Sequence, residues 1–397
     1  MGGTRRIGIS VEHENAFGRA FIAGIADFAQ TREDWSLEII EPSQTTARAL
    51  SRFDGFVFRV VRPETAALLE RLGRPVVDAF YKRPHPAFAA VKVDNAAIAE
   101  LAARHLLDRR FSNFAFCGYD GAGFSDARGA RFAELLSQAH YPCAHFRTSR
   151  RIVSWFENMV VTGERIVAAP DARPLKAWLR ALPKPVAVFC CHDVRAHQVL
   201  RSCRELGIRV PAEVAILGVD NDNLVCNFAT PRISSIDTDA ETAGRTAAGV
   251  LHAMMTDPAV RKRPPVLFVK PKCVVERGST DVCPLKPDWL SDALTFVRKN
   301  VGNGISATDV FGHAGLSHTV VERTFREKLG RTVQQEIAAV RMEEARHLLR
   351  HSGLQVKEVA ARSGFRSPEY FSRQFVAANG LSPEAWRRSA ASPVSGS

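Results

Sequence analysis

Two helical stretches near the C-terminal end carry charged side chains at a spacing suited to reading base edges. In 361–388, ARSGFRSPEYFSRQFVAANGLSPEAWRR, the order is helix, glycine turn, helix. Ser363-Gly364 supplies the turn, because glycine reaches positive φ without steric cost. Ser367 suits an N-cap and Pro368 the first helical position, where a missing N–H is no loss. Phe371 and Phe375 stand four apart and share a face to be buried, while Glu369 and Arg373 share the other. Upstream, Ser306 or Thr308 can cap a short helix to His313, Ala314-Gly315 makes a turn, and Ser317 caps a helix ending near Leu329. There Val321 and Phe325 face inward, and Thr319, Glu322, Arg323 and Arg326 line an outer face. Arginine can be bidentate to guanine, and glutamate accepts from cytosine N4. Both units have the shape of a helix-turn-helix recognition element. The helical stretch 333–350, with Ile337, Val340 and Leu348 inward, could hold them in major-groove segments ~34 Å apart.

The balance of charge agrees with a polyanionic partner. The chain has 397 residues, a formal charge of +12 and a pI near 9.6. From Cys283 onward 16 Lys and Arg stand against 11 Asp and Glu, so +5 lies there and the excess is not confined to that end. The length suits two or three domains, and 46% hydrophobic with 24% charged residues is ordinary for a globular protein. Eight cysteines, at 117, 143, 190, 191, 203, 226, 273 and 283, form no CxxC pair, which argues against zinc and thioredoxin chemistry and suits a reducing cytosol. The opening MGGTRRIGISVEHEN has too short an apolar stretch for a signal peptide, and no segment approaches a membrane span. The expected location is the cytoplasm.

The elements upstream alternate strand and helix. Ile7, Ile9 and Val11 make a strand, and Phe17, Phe21, Ile25 and Phe28 follow at helical spacing. Further strands read at 37–40, 55–61, 75–80 and 90–93. A second series has a helix at 95–108, a strand at 114–119, a helix at 125–138, and strands at 185–191 and 214–220. Apolar runs separated by helices mean a parallel sheet covered on both faces, here twice over, giving two lobes. Stretches 233–237 and 266–276 could cross between them. A cleft between such lobes, beyond the C-terminal strand ends, is where a small ligand binds. Residues 281–287 read as a linker, 288–388 as all helical, and 389–397 as a disordered tail. The expected fold is two α/β lobes over 1–280, followed by an all-α double helix-turn-helix domain.

These residues also carry resemblances. AxxSGFxSxxYFSRxFxxxxGxSPxxWR resembles the C-terminal signature of AraC-type transcription regulators, over 288–388. The first unit departs from it, with Phe311 and His313 where small residues are usual. The resemblance implies base-facing roles for Thr319, Glu322 and Arg323, and for Pro368, Glu369 and Arg373, with Arg326, Lys328 and Arg366 on phosphates. It also implies an RNA polymerase partner and a homodimer. The first 280 residues resemble the core of LacI-type repressors in 93–118, 126–135, 188–200 and 208–237, which implies an α/β two-lobed periplasmic-binding-protein-like sensor domain. Joined in this order, the two halves are similar to the xylose-operon regulators, which implies D-xylose in the cleft, a double-stranded DNA operator, and activation of xylose-utilisation genes in a bacterium, on the nucleoid when bound. A sugar pocket needs carboxylates, amides, an arginine and an aromatic face. Strand ends offer Asp220 and Asn221, His192 and Asp193, Arg128, and Asn15 and Phe17, of which Asp220, Asp193 and Arg128 match repressor pocket positions. His192 replaces the Asn common in repressor pockets, so the ligand need not be xylose, and a regulator of another sugar operon, activator or repressor, is the alternative. An enzyme is not expected, nor is a cofactor or a metal. GxxxxGK[ST], GxSxG and HExxH are missing, Gly118, Gly121 and Gly123 do not fit GxGxxG, and His13-Glu14 reads as a solvated pair. A sugar-converting enzyme with a DNA-binding tail is the rival class.

Overall fold

The computed structural model describes residues 4–13, 15–32, 34–41, 45–79, 85–148, 171–285, 287–390 and 394–395. Glu14, the end of the stretch read as strand at 75–80, and most of the tail lie outside the described residues. Lobe 1 opens with β1 (Arg5–Ser10), α1 (Ala16–Gln30), β2 (Trp35–Ile39), α2 (Ala47–Leu50), β3 (Gly55–Phe58), α3 (Pro63–Leu72), β4 (Val76–Asp78) and β5 (Ala89–Val93). The chain then crosses into lobe 2. Its elements are α4 (Asn95–Asp108), β6 (Phe114–Cys117), α5 (Gly123–Gln138), β7 (Cys143–Phe146), α6 (Ala172–Ala181), β8 (Val186–Cys190), α7 (Asp193–Glu205), β9 (Val214–Val219), α8 (Asn223–Phe228) and β10 (Ser234–Asp237). It returns through α9 (Ala240–Thr256), α10 (Pro258–Lys262) and β11 (Val266–Val269), then crosses again to β12 (Cys273–Val275).

The crossings expected near 233–237 and 266–276 are therefore real. The latter stretch is two strands in two sheets. β11 pairs parallel with β5, and β12 pairs antiparallel with β10. The lobe 1 sheet runs β11-β5-β4-β3-β1-β2, with Val394–Ser395 antiparallel at its outer edge, and the lobe 2 sheet runs β12-β10-β9-β8-β6-β7. All residues of β3, β8 and β9 are buried, which is why these strands read as unbroken apolar runs rather than alternating ones. α1 and α9 pack backbone to backbone on lobe 1. A Cβ on Gly24 would stand 1.9 Å from the Glu241 carbonyl oxygen, and one on Gly244 1.8 Å from that of Phe21.

The remainder is helical: α11 (Asp288–Asn300), α12 (Ala307–Ala314), α13 (His318–Leu329), α14 (Val333–His351), α15 (Val356–Arg362), α16 (Pro368–Asn379) and α17 (Pro383–Ala390). Two separate cores serve it. One gathers Leu290, Leu294, Val297, Val321, Phe325 and Ile337, and the other Leu349, Val359, Phe371 and Phe375. α14 contributes to both, as its reading as a connector required. Among the described residues no helix is long and apolar enough to cross a membrane.

Candidate functional site

On lobe 2 the cleft is built where β6, β8 and β9 end. Asp220 and Asn221 leave β9 with φ of 100° and 50°, a left-handed turn that short polar side chains tolerate. The Asp220 N–H donates to the Ile236 carbonyl (2.9 Å) and that of Asn221 to Ser235 Oγ (3.0 Å), so the turn is pinned to β10. Burial raises the Asp220 carboxyl above its usual range, and the Arg128 guanidinium pulls it back. Its field also includes Asp222 and, from lobe 1, Glu12 and Arg59. Asp220 thus lies within electrostatic reach of lobe 1.

Arg128 is buried on α5. Its Nε donates to Asn95 Oδ1 (2.9 Å), it donates again to the Cys191 carbonyl, and its guanidinium lies 5.2 Å from the Phe124 ring centroid. Asn95 opens α4 immediately after the lobe crossing, so the cleft arginine is tied to the hinge. His192 is the N-cap of α7, its Nδ1 accepting from the Arg195 N–H (2.9 Å). Its ring sits between Tyr119 and Phe124, with centroids at 5.6 and 6.1 Å. Burial lowers its pKa to about 3, so the ring is neutral, and with Nδ1 accepting the proton resides on Nε2.

Asp193 is buried, and its Oδ2 accepts from the Asp222 N–H (2.7 Å). It therefore grips the loop that carries Asp220. Burial first, and then the charge of Asp220, push its carboxyl up to about 8. An unfolded Asp titrates near ~3.9, so the folded protein retains this proton across the window from there to about 8. Asp193 accordingly withdraws stability as pH rises through that window and withdraws none below it. Asp193→Asn keeps an acceptor for the Asp222 N–H and cannot ionise. Urea midpoints are expected to show the variant gaining on the parent from pH 5 to pH 8; parallel profiles would refute the assignment.

The other candidates are placed differently. Asn221 accepts from Arg277 Nη2 (2.7 Å) and donates to Asp237 Oδ2 (3.4 Å), which ties its side chain to the rear of the turn. Asn15 caps α1, its Oδ1 accepting from the Gly18 N–H (2.7 Å). Phe17 is half-buried and stacked on Phe21 at 6.0 Å, part of the lobe 1 core. The strand-end reading names Asn15 and Phe17 after β1 but passes over Glu12 and Arg59, which follow β1 and β3 and form an ion pair with both side chains largely buried. Glu12 Oε2 is buried and accepts no hydrogen bond from the described residues. The same rule, held to the first two residues past each strand of lobe 1, points to both. A cavity of 650 Å³ flanks α5 on its β7 side, lined by Phe116, Asp120, His145 and Arg147, and one of 370 Å³ lies near Arg48 and Arg52. Among the described residues no cluster of three His, Cys, Asp or Glu could hold a metal.

The helical half presents two polar faces. Thr319, Arg323, Arg326, Lys328, Arg366, Pro368, Glu369 and Arg373 are exposed. Glu322 is mostly covered, 3.8 Å from Arg326, and Arg323 lies 3.9 Å from Glu327. Such pairs are weak enough at a surface to open toward a ligand. Ser306 begins α12, its N–H and Oγ both donating to the Asp309 carboxylate (2.7 and 2.8 Å). Ser317 stands at the N-cap of α13 but makes no capping hydrogen bond, contrary to expectation. Ser367 does cap α16, accepting from the Tyr370 N–H (3.1 Å), with Pro368 at its start. Behind α16, Phe371, Phe375 and Trp386 stack edge to face. Tyr370 is 49% exposed beside Glu369, an aromatic on the outer face that the periodicity argument passed over.

Comparison with known proteins covers the chain in two pieces and then as a whole. A periplasmic binding protein-like domain matches residues 103–280, and a helix-turn-helix domain matches 312–389. The Xylose operon regulatory protein of Haemophilus influenzae is 25% identical, over 96% of this chain and 98% of that one. The solved structure of a xylose-binding transcription activator, xylR, is 24% identical and covers 97% of this chain and 98% of its own, with a TM-score of 0.59. A LacI family regulator from Enterococcus faecium with bound ribose, 22% identical, covers 71% of this chain and all of its own, with a TM-score of 0.56.

Proposed function

Starting from a periplasmic-binding-protein-like sensor joined to a helix-turn-helix domain, in a chain similar along its length to xylose operon regulatory proteins, we propose a sugar-responsive transcription regulator that binds D-xylose between its lobes and activates pentose-utilisation genes. One observation carries the sensor reading. Arg128 and Asp220 on lobe 2 oppose Glu12 and Arg59 on lobe 1, so each side of the cleft offers both a donor and an acceptor. A sugar hydroxyl both donates and accepts, and the charges balance, which fits a neutral polyol. His192 adds an N–H and Phe124 an apolar face. A sugar favours closure only through tighter binding to the closed form.

The operator contacts follow from the two exposed faces. Thr319, Glu322, Arg323, Pro368, Glu369 and Arg373 address bases, and Arg326, Lys328 and Arg366 address phosphates. The protein works as a homodimer in the bacterial cytoplasm, on the nucleoid when bound, contacts RNA polymerase, and does no catalysis. A regulator of another sugar operon, activator or repressor, is the second reading, its different sugar favoured by His192 in place of the Asn usual in repressor pockets.

Calorimetric titration with a panel of pentoses and hexoses tests the sensor. D-xylose is expected to give heat. Arg128→Ala should weaken it by ~2 kcal/mol or more, roughly 30-fold, since Asp220 would lose its buried counter-charge. A parent protein silent toward every sugar would remove the reading.

A further inference from the structure

The join between the two halves has no slack. Ser279 and Thr280 are fully buried in lobe 2. Ser279 Oγ donates to the Ile216 carbonyl (2.6 Å) and accepts from the Ser234 N–H (2.8 Å). Thr280 Oγ1 meets Ser234 Oγ at 2.7 Å and His105 Nε2 at 3.1 Å, while Arg109 Nε donates to its carbonyl (2.9 Å). Three residues later Cys283 is fully buried in the core of the first helix-turn-helix unit, where the Ser291 hydroxyl donates to its carbonyl. Only Asp281 and Val282 lie between. Val282 packs on the lobe 2 core, and Asp281 is paired with Lys299 of α11 at 2.7 Å. Pro284 follows and further restricts the backbone.

A second set of contacts runs beside the join. Arg298 of α11 donates to the Asp108 carbonyl at the C-terminal end of α4 (2.6 Å), where a cation is favoured by the helix dipole. Arg109 pairs with Glu276 at 2.6 Å, just past β12. α14 reaches the same seam, for Glu343 feels Asp108, Arg298, Arg109 and Glu276. On lobe 1 the described residues of the chain end form the two-residue pair of Val394–Ser395 with β11, too short to resist a lobe movement.

We propose that lobe 2 and the DNA-binding half move as one rigid body, so that ligand binding is transmitted as displacement of lobe 1 against that body. The inference rests on the sensor reading and adds which lobe carries the output. Lobe 1 becomes the moving part, and Arg298, Arg109 and Thr280 become coupling residues although none touches sugar or DNA.

Distance measurements decide it. Spin labels are placed pairwise, as unnatural amino acids because of the native cysteines, at exposed Glu64 (lobe 1), Ser137 (lobe 2) and Lys357 (α15). The Ser137–Lys357 distance is expected to show one narrow peak, identical with and without D-xylose, while Glu64–Lys357 shifts. A broad Ser137–Lys357 distribution in the sugar-free protein, or a shift with sugar as large as that of Glu64–Lys357, would overturn the proposal. Failure of the sensor reading looks different: Glu64–Ser137 stays still with every sugar, and the width of the Ser137–Lys357 peak still tests the rigid body. Inserting Gly-Ser-Gly-Ser after Asp281 should broaden that peak and leave sugar affinity within about twofold of the parent. It should also collapse the sugar-induced change in operator affinity from roughly 5–150-fold toward none. Intact coupling in that variant would also count against the rigid body.

Discussion

Gly364→Val is expected to unfold the DNA-binding half and leave the sensor folded. Gly364 makes the turn between α15 and α16 with φ of +77°, a region that costs a β-branched residue roughly 1–3 kcal/mol. The larger effect is contact. A Cβ there would lie 2.0 Å from the Val301 carbonyl oxygen and 3.1 Å from its carbon, backbone atoms that cannot rotate away. Val301 is itself buried in the first core, so the clash would part the two helix-turn-helix units. A loss above ~4 kcal/mol is expected, against a total of about 5–15 kcal/mol for a domain of this size. Gly380, with φ of +71° and open space around its Cβ position, is the control, since its substitution by valine carries only the backbone cost. Calorimetry should lose the transition of the helical half in Gly364→Val, with operator binding, and keep the sensor's. Equal losses from the two substitutions would show that the contact with Val301 is not tight.

Asp171→Ala should be the most damaging single change in the sensor. Arg195 is fully buried and bound bidentately by Asp171, at 2.9 and 2.7 Å. Its guanidinium also donates to Gln198 Oε1 (2.9 Å) and lies 4.7 Å from Tyr119 and 5.0 Å from Phe146. Removing the carboxylate strands a charge in an apolar site, at a cost of about 3–5 kcal/mol. Replacing both partners, Asp171→Leu with Arg195→Met, should cost much less, because no charge is then left unpaired. A chemical-denaturation double-mutant cycle measures the difference. If Asp171→Ala costs under ~1 kcal/mol, water reaches Arg195 and the pair is not dry. Sugar affinity should fall in the single variant too, since the Arg195 N–H caps onto His192 at the cleft.

Much of the molecule was legible because its signals are local. Ser367 and Pro368 open α16 and Gly364 closes the turn before it, each for a reason contained within a few residues. The unbroken apolar runs of β8 and β9 announce strands buried on both faces. The strand-end rule, a rule about topology that needs no coordinates, offers Asp220 and Arg128 as candidates, and the structure brings the two into one another's electrostatic field. Asn221 and Asn15 satisfy the same rule, yet their side chains serve the backbone or a neighbour.

The order of residues was sufficient for two α/β lobes, a double helix-turn-helix and the faces each helix turns outward, because periodicity, capping and glycine turns act over a turn or two of chain. Which charges confront one another was settled only in three dimensions. Glu12 and Arg59 lie 47 residues apart and meet because β1 and β3 are neighbours in one sheet. Asp193 reads as a pocket candidate in one dimension, and only in three does it emerge as a buried acid whose Oδ2 also grips the Asp222 loop. The stretch 281–287 has the composition of a tether, but Cys283 is buried in one core and Val282 against another. Burial and partnership depend on contacts far apart along the chain, and composition carries no trace of them.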